Sequence, residues 1–83
     1  DNGEILDILQ KAVNDGQLNS KEDLRRNWEG LKTKTQKTEF IKKTIVPTLK
    51  NMGYEFTQVK LFAVFPGFLG IETSRDDEEF NKN

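Results

Sequence analysis

The segment 54–71 constrains the fold more than any other part of the chain. Eleven of its 18 residues are apolar: Tyr54, Phe56, Val59, Leu61, Phe62, Ala63, Val64, Phe65, Phe68, Leu69 and Ile71. A chain of 83 residues holds one hydrophobic core, because at this length only roughly 60 to 65% of the surface of the unfolded chain is buried on folding. The rest of the chain must therefore be arranged around this stretch. Its aromatic and β-branched content, interrupted by Pro66-Gly67, predicts two strands, about Phe56 to Phe65 and Phe68 to Thr73, joined by a tight turn centred on Pro and Gly. The competing reading is a fourth helix, with Thr57 as its cap and Gln58 to Phe65 as its body, stopped by Pro66-Gly67.

The choice decides where the side chains point. In a strand Val59, Leu61, Ala63 and Phe65 share one face, and Phe62 and Val64 leave the other face apolar as well. Helices in so small a domain cover one face. The second, with Phe68 and Leu69 extending it at the turn, is then an exposed apolar patch fit for a partner protein or a homo-oligomer contact. If the segment is helical, or if a long helix and the chain ends wrap it, Phe62, Val64, Phe68 and Leu69 are ordinary core.

Upstream the periodicity is helical. Ile5, Leu6, Ile8, Leu9, Ala12 and Val13 recur at three- and four-residue spacing, which predicts a helix from about Gly3 to Asn14, stopped by Asn14-Asp15-Gly16. Ser20 followed by Asp23 resembles a capping box ahead of Leu24, Trp28 and Leu31, giving a second helix from about Lys21 to Leu31 with Trp28 on its buried stripe. Lys32 to Lys37 contains no apolar residue and reads as an exposed connection, with Thr35 or Thr38 as the cap of the next helix. Ile41, Ile45, Leu49 and Met52 mark that third helix, about Thr38 to Met52, closed by Gly53 and expected to be the central one. Pro47 cannot bond to the carbonyl of Lys43, so this helix kinks there or restarts; the unbroken apolar spacing favours a kink.

Composition excludes most catalytic chemistries. With no Cys and no His there is no thiolate nucleophile, no Ser-His or Cys-His pair and no sulfur or imidazole ligand for a metal. Tyr54 and Glu55 have no nucleophile or second carboxylate at motif spacing and read as structural. The run Asp76 to Glu79 lacks the alternating ligands and central glycine of a calcium loop and reads as a solubilising tail. The expectation is a protein that is not an enzyme and needs no cofactor or metal. Its longest apolar run, Leu61 to Phe65, is far short of the roughly 20 residues that span a bilayer, so no membrane partner is expected. Localisation is unknown; cytoplasm is the default and secretion is not excluded.

Charge is unevenly placed. The net charge is -1, yet residues 25–60 carry 9 basic and 3 acidic side chains. Arg25, Arg26, Lys32, Lys34, Lys37, Lys42, Lys43 and Lys50 would put positive charge on the second helix, the connection and the exposed side of the third, the footprint that a phosphate backbone or an acidic protein requires. The structural alternative is a solvated face whose lysines pair with the acidic flanks of the chain, residues 1–24 and 61–83. Three helices and a hairpin is an element order that resembles winged-helix domains. That resemblance implies nucleic-acid binding, with Lys34, Lys37, Lys42, Lys43 and Lys50 on phosphates and Gln36 and Thr38 nearest the bases.

The expected fold is therefore α+β, one domain over residues 1–73 with an acidic flexible tail over 74–83; the alternative is an all-α domain of four helices. The expected function is macromolecule binding through Arg25, Arg26, Lys34, Gln36, Lys37, Lys42, Lys43 and Lys50, with nucleic acid or an acidic protein as partner. The alternative is protein–protein interaction, inhibition or oligomerisation through Phe62, Val64, Phe68 and Leu69.

Overall fold

In a computed structural model, which describes residues 2–71, every regular element is a helix. They are α1 (Asn2–Asn14), α2 (Lys21–Gly30), α3 (Lys34–Phe40), a π-helical segment (Ile41–Ile45), α4 (Val46–Asn51) and α5 (Gln58–Phe68). From α3 through α4 the helix is continuous, so four helical rods make the domain. The expected acidic tail over 74–83 and the last residues of the expected second strand lie outside the described residues.

The C-terminal hairpin is overturned, and with it the α+β class and the winged-helix element order. The segment forms α5, as in the four-helix alternative. Thr57 is its N-cap, accepting from the N–H of Lys60 at 3.2 Å. The helix does not stop at Pro66-Gly67, however. Pro66 and Gly67 lie inside its last turns, and Gly70, at φ +76°, ends it. There the N–H of Ile71 donates to the carbonyl of Pro66 at 2.9 Å and that of Gly70 to the carbonyl of Gly67 at 3.1 Å, the paired bonds of a Schellman motif. The aromatic residues that suggested strands are there because this helix is the centre of the core. Aromatic enrichment reports burial as much as β structure.

Helix α5 packs against α1, the π segment and α3. It buries Leu61, Phe62, Val64, Phe65, Pro66 and Phe68, which makes it, and not the third helix, the central element. Trp28, reaching in from α2, is 2% exposed. Its ring lies 5.1 Å from that of Phe65, 5.6 Å from Phe62 and 6.3 Å from Phe40, centroid to centroid. The last two contacts are edge-on and the first is tilted, arrangements that the ring quadrupoles favour.

The third rod starts earlier than its apolar spacing suggests. Thr33 and Gln36 form a capping box: the N–H of Gln36 donates to Thr33 Oγ1 at 3.1 Å, and the N–H of Thr33 donates back to Gln36 Oε1 at 3.2 Å. The cap is thus Thr33, not Thr35 or Thr38, and only residues 31–33 connect α2 to α3. No residue of α3 is fully buried, which is why hydrophobic periodicity does not reveal it. Pro47 is accommodated by the wider π turn that precedes it. The N–H of Val46 bonds to the carbonyl of Ile41, five residues back, and Pro47 comes next, at the start of α4.

Candidate interaction surfaces

The basic side chains expected to form a binding face are largely engaged within the chain. Arg26 Nη2 is 2.7 Å from Asp23 Oδ1, and Arg25 Nε is 3.7 Å from Glu29 Oε2. Lys43 Nζ is 3.3 Å from Glu39 Oε2, and Lys50 Nζ is 3.9 Å from Glu55 Oε1. All four pairs are exposed, so each is worth only about 0.2–1 kcal/mol. Their electrostatic consequence is larger than their contribution to stability: four members of the expected anion-binding set, Lys43 and Lys50 of the expected phosphate contacts among them, each sit beside a carboxylate. A phosphate approaching them meets both charges.

The remaining members of that set are dispersed in role. Lys37 Nζ lies 5.4 Å from the centroid of the Trp28 ring, a cation–π contact that holds its stem over the aromatic cluster. Lys34 is half-buried in the first turn of α3, and Lys42 is exposed on the π segment. Gln36, expected to reach bases, has its amide oxygen fixed in the cap: besides the bond from Thr33 it accepts from the N–H of Lys32 at 2.6 Å. The first turn of α3 depends on that oxygen.

The apolar set lies elsewhere than the strand reading places it. Phe62 is 0% exposed, Val64 and Phe68 6% and Leu69 3%. A strand would have turned Phe62 and Val64 to one side; the helical turn carries them, with Phe68, into contact with the rest of the core. Phe68 is also covered from outside by Lys21, whose Nζ sits 4.4 Å from the ring centroid.

What α5 does expose is a narrow stripe: Val59, Lys60, Ala63 and Gly67, continued by Gly70 in the cap. Residues 59, 63 and 67 are four apart, and at 3.6 residues per turn each step advances by only about 40° around the helix. Lys60 is the only charge on the stripe. Val59, at 39%, is the one large hydrophobic side chain that is exposed among the described residues. Above Gly67 there is open space, since a Cβ placed there would meet no atom within 4 Å. Sequence reasoning does not mark Lys60, Ala63 or Gly67 as contact residues: it places Ala63 on a strand face and Gly67 in a turn. The signal is present in the four-residue spacing, and is visible only once the segment is taken as a helix.

Among the described residues no pocket opens, no three acidic side chains converge as a metal site, and no helix is long and apolar enough to cross a membrane. Comparison of the chain with protein-family models, curated proteins and solved structures finds no significant match.

Proposed function

We propose that this domain is a protein–protein interaction module without a catalytic role, and that the outward stripe of α5 is its contact surface. The observation that carries the reading is the character of that stripe. A surface helix ordinarily turns charged residues to water, yet the exposed line of α5 holds one charge among Val59, Ala63, Gly67 and Gly70. Small residues allow a second helix to approach closely, and Val59 offers a side chain to insert. The pairing of Arg25, Arg26, Lys43 and Lys50 with carboxylates also supports it, since it weighs against the alternative of a phosphate-binding face.

Self-association is the form of this activity that can be tested without a further component. Sedimentation velocity over a concentration series, at low and high salt, should show association of the native protein that persists at high salt. It should be lost in Ala63→Glu, a variant that keeps the far-UV circular dichroism of the parent, and kept in Lys42→Glu. A native protein that stays monomeric throughout, and that binds duplex DNA with an affinity falling steeply with salt and lost in Lys42→Glu/Lys43→Glu, would overturn the reading in favour of a nucleic-acid interface.

A further inference from the structure

No further inference is drawn: the strongest candidate, the narrow stripe of small side chains that α5 turns outward, belongs to the surface already proposed for interaction, and nothing in the structure shows which chain covers it.

Discussion

Gly67 and Gly70 stand three residues apart in the same helix end and have opposite requirements. Gly70 is at φ +76°, where an L side chain is strained, and its Schellman bonds close α5. Gly67 has ordinary helical geometry, and a Cβ added to it meets open space. The same substitution should therefore have opposite signs. Gly70→Ala is expected to lower stability by about 1 kcal/mol, and Gly67→Ala to raise it by about 0.5–1 kcal/mol because glycine is a poor helix former. Urea titration of both variants checks the pair, and a loss at Gly67 would mean that its backbone is not the regular helix described. Gln58 supplies a second residue-scale test. Its Nε2 is buried with no hydrogen-bond partner, a placement that costs about 1–3 kcal/mol for an amide. Gln58→Met, which keeps the length and removes the polar atoms, should raise the urea midpoint at unchanged slope.

At the scale of elements, what the sequence discloses depends on whether a helix buries a face. α1 and α2 do: Ile5, Ile8, Leu9 and Ala12 on one and Leu24 and Trp28 on the other recur at helical spacing, and both helices lie within a residue or so of where that spacing puts them. α3 buries nothing completely, and its start is legible only through Thr33 and Gln36, whose capping box is a local side-chain signal. The hairpin reading of α5 fails for a different reason. A helix surrounded on most of its circumference is apolar nearly all round, so it loses the periodicity that distinguishes it from a buried strand. Pro66-Gly67 then looks like a turn. Proline inside the last turns is instead retained next to a glycine cap three residues beyond Gly67, and the Pro66 ring is fully buried. Trp28 is the tie between α2 and this helix, through Phe62 and Phe65. Trp28→Ala should cost about 3–5 kcal/mol, a large fraction of the stability of a domain of this size, and a strongly lowered midpoint in thermal melting monitored by circular dichroism would register it. Trp28→Phe, which keeps a ring in the cluster, should remain folded with a lower melting temperature.

Across the whole molecule the uneven charge is legible in the sequence, and its pairing with carboxylates is one of two readings there, but which carboxylates pair is not. The excess of basic residues in 25–60 is real, and so are the carboxylates of Asp23, Glu29, Glu39 and Glu55 placed three to five residues from their partners. Spacing of three or four on a helix brings opposite charges together, and with Lys50–Glu55 four of the segment's nine basic residues sit beside a carboxylate in three dimensions. The stripe proposed as the contact surface is the opposite case. It carries no composition signal, and emerges only from the turn of a helix that puts Val59, Ala63 and Gly67 outside while Phe62, Val64, Phe68 and Leu69 go in. The functional reading therefore stands on the conformation of one segment. The Cα chemical shifts of residues 56–71 test it most directly. An unbroken run of downfield secondary shifts from Gln58 to Phe68, passing through Pro66 and Gly67 and ending at Gly70, is the predicted result. Two stretches of upfield shifts on either side of Pro66-Gly67 would contradict it, restore the hairpin, and return Phe62 and Val64 to the surface.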